Sequence, residues 1–184
     1  MTTETLIPPS KEMRRSNVIN VLNKARSMEL HAIHQYMNQH YNLDNLDYGD
    51  LAAKVKLIAI DEMRHAEMFA ERIEELKDQP TCELISPVIK GQSVDDIYPH
   101  DMDLETNTIE EYNRFLQICR DNNDNVSANL FEKIVDEEQI HLNYFENVDD
   151  HLKELRDSFL AKIAGTPSES DTPHGFVDKY GGTE

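Results

Sequence analysis

Two stretches of the chain repeat one order of apolar and ionisable positions. Ile58, Glu62, His65 and Phe69 follow one another at steps of three or four residues, as do Ile134, Glu138, His141 and Phe145, a spacing that places side chains on one face of an α-helix. Both stripes are otherwise apolar, so their Glu and His side chains point inward. An earlier stripe of Leu30, Ile33 or His34, and Met37 runs beside Glu29 and Tyr36. Glycine is scarce, with 6 in 184 residues, and the long segments free of breakers predict four helices: about Ser16 to Tyr41, Asp47 to Lys77, a third ending near Arg120, and Val126 to Leu152. Asn42 to Asn45 and Asp121 to Asn125 read as polar turns, which join antiparallel neighbours. Pro80, Pro87, Gly91 and Pro99 bar one continuous helix between the second and third, leaving a connection long enough to cross a bundle. A short helix over Leu155 to Ala164 should stop at Gly165. The predicted fold is all-α, a four-helix bundle with a long crossover between helices two and three and a short fifth helix. Residues 1–15 read as an N-terminal extension, 16–165 as the bundle, and 166–184 as a flexible tail.

A shift of 76 positions lays one half of the chain on the other. Glu29 falls on Glu105, Ile33 on Ile109, Tyr36 on Tyr112, Ala52 on Ala128, Glu62 on Glu138, His65 on His141 and Phe69 on Phe145. In both halves 33 residues separate the first Glu from the Glu-x-x-His, so each helical hairpin carries a Glu on its first helix and the pair on its second. Residues three apart reach one point, making each pair a bidentate offer to a metal. Burying four glutamates and two histidines uncompensated would cost several kcal/mol per charge, beyond one domain's stability margin. Two divalent cations would balance four carboxylates. Oxygen and imidazole donors without thiolate suit iron or manganese, and zinc less specifically. A lone Glu-x-x-His arises often by chance; its duplication at equal separation points to a dinuclear centre.

Composition narrows the partners. Asp and Glu number 36 against 18 Lys and Arg, a formal charge of -18 that argues against nucleic acid and favours cations. No apolar run approaches the roughly 20 residues of a membrane helix, and MTTETLIPPSKEMRR has no apolar signal core, so a cytoplasmic protein is expected. Cys82 and Cys119 are single and read as free thiols.

The segments MELHAIHQY, IDEMRHAE and DEEQIH, in that order and spacing, resemble the bacterioferritin family over about Asn17 to Gly165, most of all the forms of sulfate-reducing bacteria. One Glu from each of two helices with a Glu-x-x-His from each of two others is the recognised pattern of ferritin-like carboxylate bundles. The resemblance implies that Glu62 and Glu138 bridge two irons, that Glu29 and His65 complete one iron's shell, and that Glu105 and His141 complete the other's. Tyr36 matches the family's tyrosine near the site, as a hydrogen-bond donor to a ligand carboxylate or as a redox group. Met63 lies one residue, about 100° of helix rotation, from Glu62, a place where methionine is ordinarily core filler or interface contact. The resemblance makes it the ligand of an iron porphyrin, haem b or a coproporphyrin-like variant, shared across a twofold subunit interface with one Met from each side. Leu30, Ile33 or His34, Met37 and Ile60 would line that slot. Asp61 keeps an acid where some members have an inner-surface iron site, but Leu57 stands in place of their histidine. His31, His34, His40, His100, His151 and His174 read as structural or surface residues, those of the first helix at spacings suited to partial exposure.

The implied function is iron storage with ferroxidase activity: Fe(II) oxidised by dioxygen or hydrogen peroxide and kept as Fe(III) in a homo-oligomeric shell, a 24-mer built from dimers. The porphyrin would pass electrons inward, from a donor such as a ferredoxin or rubredoxin. A rubrerythrin-like diiron peroxidase is the alternative enzyme, although such enzymes commonly add a Cys-x-x-Cys iron site absent here. A porphyrin-carrying scaffold with a closed structural metal is the non-enzymatic one.

Overall fold

Helix α1 (Lys11–Asn45) starts where Ser10 caps it, the hydroxyl accepting from the Met13 N–H at 3.1 Å. It therefore begins five residues before the expected start and takes in part of the supposed extension, because a capping serine outweighs the polar run that follows it. Our computed structural model of the chain describes residues 10–168 and 175–182, with α2 (Gly49–Glu75), α3 (Val94–Asp121), α4 (Asn125–Ile163) and α5 (Phe176–Tyr180) completing the order. The long helices pair as two hairpins, α1 with α2 and α3 with α4. This is the all-α four-helix bundle expected.

Helix α3 runs through Pro99 instead of starting after it. Ser93 and Asp96 nucleate it earlier: the Ser93 N–H and hydroxyl both donate to Asp96 Oδ2, at 3.3 and 2.5 Å. Pro99 then sits near the helix start, where it removes a single intrahelical bond. Helix α4 breaks at Arg156 (φ 7°, ψ −85°), so the predicted short helix from Leu155 follows directly on that break. The tail also departs from expectation, since Phe176–Tyr180 form α5 and Phe176 is buried. Its aromatic residues supply an apolar face that the Ser- and Thr-rich composition around them concealed. His174 lies outside the described residues.

Between α2 and α3 the crossover lies along α1, whose polar side chains hold its backbone. Asn23 Oδ1 accepts from the Thr81 N–H (2.7 Å), Arg26 Nε donates to the Thr81 carbonyl (2.8 Å), and His31 Nδ1 lies 2.9 Å from the Ser86 carbonyl. Gln35 both donates to the Ile89 carbonyl and accepts from the Ile89 N–H (3.1 and 2.8 Å). A segment without ladder partners of its own thus pairs its backbone groups with side chains that follow one another along α1. That stripe buries His31, and His40 is buried with its Nδ1 2.9 Å from the Ala52 carbonyl, whereas partial exposure was expected.

The core forms two clusters. Phe69, Ile73, Tyr112, Phe115, Phe131 and Ile134 anchor one; Tyr36, Leu51, Val55, Ile58, Tyr98 and Phe145 anchor the other. Six ionisable side chains lie between them.

Candidate metal centre

Glu29 on α1, Glu62 and His65 on α2, Glu105 on α3, and Glu138 and His141 on α4 are all buried, none more than 2% exposed. They form two overlapping sets, Glu29–Glu62–His65–Glu138 and Glu62–Glu105–Glu138–His141, whose ligand atoms lie within 4.8 Å of one another. Glu62 and Glu138 belong to both. Each imidazole turns Nδ1 inward: His65 Nδ1 lies 3.1 Å from Glu62, 3.2 Å from Glu138 and 3.9 Å from Glu29. His141 Nδ1 lies 3.1 Å from Glu138, 3.1 Å from Glu62 and 3.9 Å from Glu105. The pairs meet because residues three apart on α2 and on α4 share a face, and the hairpins dock with those faces opposed.

Proton distribution keeps this layer near neutrality. Burial, then the charges of Glu138 and Glu62, raises the carboxyls of Glu29 and Glu105 well above their ordinary range, so both hold protons. Burial would lower the imidazoles, but the surrounding carboxylates outweigh it and raise His65 and His141 well above theirs. For Glu62, burial is overcome by His141 and His65, which hold it well below the usual carboxylate range. Glu62 Oε1 and Glu138 Oε1 are buried and make no well-aligned hydrogen bond, although His141 Nδ1 and His65 Nδ1 lie 3.1 and 3.2 Å from them, an arrangement that costs stability unless something else engages them. These are atoms shared by both sets, and a pair of oxygen-preferring divalent cations fits the donors.

Two phenols complete the layer. Tyr36 donates to Glu105 Oε1 at 2.5 Å and Tyr112 donates to Glu29 Oε1, each reaching across from one hairpin to the other. Burial, then the adjacent glutamate, raises both phenols well above their ordinary range, so they stay donors. Tyr112 was not singled out from sequence, although the 76-residue shift that pairs it with Tyr36 marks it. The same shift pairs Asp61 with Glu137, whose carboxylates meet the outward imidazole nitrogens: Glu137 Oε2 is 3.1 Å from His65 Nε2, and Asp61 Oδ2 is 3.4 Å from His141 Nε2. Such outer partners fix ring orientation and ligand basicity. Asp61 is 1% exposed and also accepts from the Val177 N–H at 2.9 Å, and Leu57 is buried, so no open inner-surface pair forms there.

Met63 lies outside this layer. It is 54% exposed, on a shallow groove of about 380 Å³ lined by Leu30, Ile33 and Ala66 with Arg26 and Glu67. Met37 and Ile60, expected beside it, do not line this groove; both are half-buried and pack against the core cluster that includes Tyr36.

The comparisons with known proteins agree with this geometry. Residues 19–155 match the family model described as a ferritin-like domain. A bacterioferritin of Desulfovibrio desulfuricans is 60% identical over 169 residues, covering 91% of this chain and 94% of that protein. One of Streptomyces coelicolor is 34% identical over 84% of this chain and 92% of its own length. The X-ray structure of the D. desulfuricans bacterioferritin, which presents that protein's diiron site in different catalytic states, superposes with a TM-score of 0.88 over 89% of this chain and 96% of its own. Mycobacterium tuberculosis bacterioferritin superposes with a TM-score of 0.76 at 31% identity, over 80% of this chain and 93% of that one. With its ligand layer, its bundle and most of its length matched in this way, the chain belongs to the bacterioferritins, within the ferritin-like family.

Proposed function

We propose that the protein stores iron and oxidises Fe(II) to Fe(III) at the buried carboxylate layer. The observation that carries this reading is the pair of ligand sets sharing Glu62 and Glu138. Two Fe(II) ions enter as substrate, Glu62 and Glu138 bridge them, Glu29 with His65 holds one, and Glu105 with His141 holds the other. Each Fe(II) gives up one electron; dioxygen takes both with two protons to become hydrogen peroxide, and peroxide in turn takes two electrons and two protons to become water. Carboxylates favour the higher charge of the product, and glutamates change between one-oxygen and bridging contact with little motion, so Fe(III) can leave. Tyr36 and Tyr112 each hold one oxygen of Glu105 and Glu29, leaving the other for the ion.

Storage requires a shell, and the relatives support a multimer, here a 24-mer built from dimers and located in the cytoplasm; no helix among the described residues is long and apolar enough to cross a membrane. The exposed thioether of Met63 on its apolar groove fits one half of a site for a shared iron porphyrin, haem b or a coproporphyrin-like variant, the equivalent methionine of a second copy supplying the other half. When bound, that group supplies one-electron transfer, drawing on a donor such as a ferredoxin or rubredoxin. Two single cysteines, one exposed and one buried, provide no second thiolate iron site of the peroxidase kind.

Replacing both Glu62 and Glu138 with Ala should reduce Fe(II) oxidation, followed by oxygen uptake, to the rate of iron in buffer while the assembly keeps its native mass. Rapid oxidation in that variant would overturn the mechanism. Met63→Leu should remove the bis-thioether spectrum of the bound porphyrin and leave Fe(II) oxidation intact; an unchanged spectrum would place the porphyrin elsewhere.

A further inference from the structure

The ligand layer obeys the 76-residue repeat, but what lies behind its two histidines does not. Behind His65 stands Glu137, 23% exposed, with its other oxygen 3.6 Å from Lys133, a side chain 62% exposed. An ion pair that open to solvent is weak and easily exchanged. Behind His141 stands Asp61, closed over by α5. The Val177 N–H donates to Asp61 Oδ2 (2.9 Å), Arg64 lies 3.2 Å from Asp61 Oδ1, and the same guanidinium reaches Asp178 at 2.9 Å. Arg64, itself on α2, thereby holds Asp61 within its own helix and ties α2 to α5 through Asp178. Gly175 lies so near that a Cβ there would come within 1.6 Å of Asp61 Oδ1, so this approach admits glycine alone. Phe176 sets its ring 6.3 Å from that of His141 and 4.9 Å from that of Tyr144, and Tyr180 stacks on Phe176 at 4.8 Å. Nothing among the described residues covers Glu137 in this way.

We propose that α5 is a clasp that makes the two metal positions unequal, holding the one beside His141 closed and leaving the one beside His65 as the position of exchange. The proposal rests on the dinuclear reading given above. For a metal to leave, its imidazole must swing aside. His141 is hindered in this, because Asp61, fixed by α5, faces its outer nitrogen at 3.4 Å and the Phe176 ring packs edge-on beside it. His65 is held from outside by one solvent-washed carboxylate, so its ring yields first and Glu137 receives the departing or arriving cation. Asp61 acts here as a positioning residue, through His141, and Gly175 and Phe176 fix Asp61. The repeat thus yields one gripping and one releasing position from the same ligand set, a division suited to passing ions onward one at a time.

Cobalt(II), which binds oxygen and imidazole donors and stays divalent, tests this without turnover. Crystals of the native assembly and of Phe176→Ala, loaded with cobalt(II), are exposed to a chelator for timed intervals, and the anomalous signal at each position is followed. In the native protein the ion beside His65 should leave about tenfold faster or more than the ion beside His141, the scale on which outer partners alter metal retention. Phe176→Ala should bring the two rates within about twofold, and Phe176→Leu, which keeps an apolar plug, should restore much of the difference. A chain ending at Ser168 repeats the test with the clasp removed altogether. Equal loss in the native protein, or a difference that survives both Phe176→Ala and the shortened chain, would overturn the clasp. Failure of the dinuclear reading looks different: no protein, native or variant, would bind cobalt(II) at either position.

Discussion

On one side of the carboxylate layer Phe131 sits 5.1, 5.4 and 5.7 Å from the rings of Phe69, Tyr112 and Phe115. On the other side, in an equally closed place, Gln39 Nε2 donates to Asp101 Oδ1 at 2.7 Å and Asp101 is fully buried. The 76-residue shift lays Gln39 on Phe115 and Ala25 on Asp101, so the same two positions hold an apolar pair at one end and a polar pair at the other. Six ligands and two tyrosines are kept in register because cations require donors on both sides. Packing at the ends answers to its own neighbours alone, and there the two halves have parted. The polar end also receives the end of the crossover, whose Gln92 accepts from Gln35 and Gln39 at 2.8 and 3.0 Å, so buried amides there serve that segment as well.

The largest effect that separates the two ends should come from Phe131→Ala. Removing this fully buried ring leaves a cavity among three other aromatics and should cost about 3–5 kcal/mol, read from denaturant unfolding of the metal-free protein. Its mate Val55 loses less bulk on truncation and should cost less; equal losses would mean that neither the extra volume of the ring nor its aromatic contacts add stability.

Asp101 gives a pH signature confined to the polar end. Burial raises its carboxyl from 3.8 to about 6, against the opposing contacts of His100 and Gln39. The folded state therefore binds this proton more tightly than the unfolded chain, and the penalty for ionising it is absent below about pH 4, grows through pH 6 and is complete above it. Asp101→Asn, which can still accept from Gln39, should match the native protein at low pH. It should exceed the native stability above pH 7 by about 3 kcal/mol at most. A difference in urea midpoint that does not change between pH 4 and pH 7.5 would remove Asp101 as its source.

Smaller still is the effect expected from the two tyrosines. Tyr36→Phe and Tyr112→Phe each delete one hydrogen bond to a ligand carboxylate, worth about 1–3 kcal/mol for a charged or buried acceptor. If both phenols only steady carboxylates, the two variants should weaken metal binding and slow Fe(II) oxidation alike. A far slower reaction in Tyr36→Phe alone, at unchanged metal affinity, would assign Tyr36 a redox part.

Much of this was legible before any coordinates. The Glu-x-x-His pairs and their equal separations placed six side chains in one layer, because helix periodicity and a duplication together leave few other arrangements. Helix ends were less legible: Ser10 and the Ser93–Asp96 cap carry the starts of α1 and α3, and each is a few atoms of local hydrogen bonding inside stretches that look like linker. Tyr112 was visible as the mate of Tyr36 but has no motif of its own. Asp61 was marked only as an acid near an inner-surface iron site, and its contact with α5 was beyond reach, since it joins residues 116 positions apart and depends on a glycine whose value appears only when a carboxylate lies against it.

The division of ligands between the two hairpins bears on the order in which the molecule assembles. Contacts within each hairpin are local, whereas those between hairpins must wait for the crossover to be drawn along α1, and local structure of this kind forms early. Each hairpin alone carries two glutamates and one histidine of the centre, too few for either cation's full set. Four acids and two imidazoles converge only when the halves dock, so the cost of burying these ionisable groups falls in that late step. Iron present during folding would lower that barrier, so nascent chains should mature faster in iron-replete cells, and the cargo would help to build its own container.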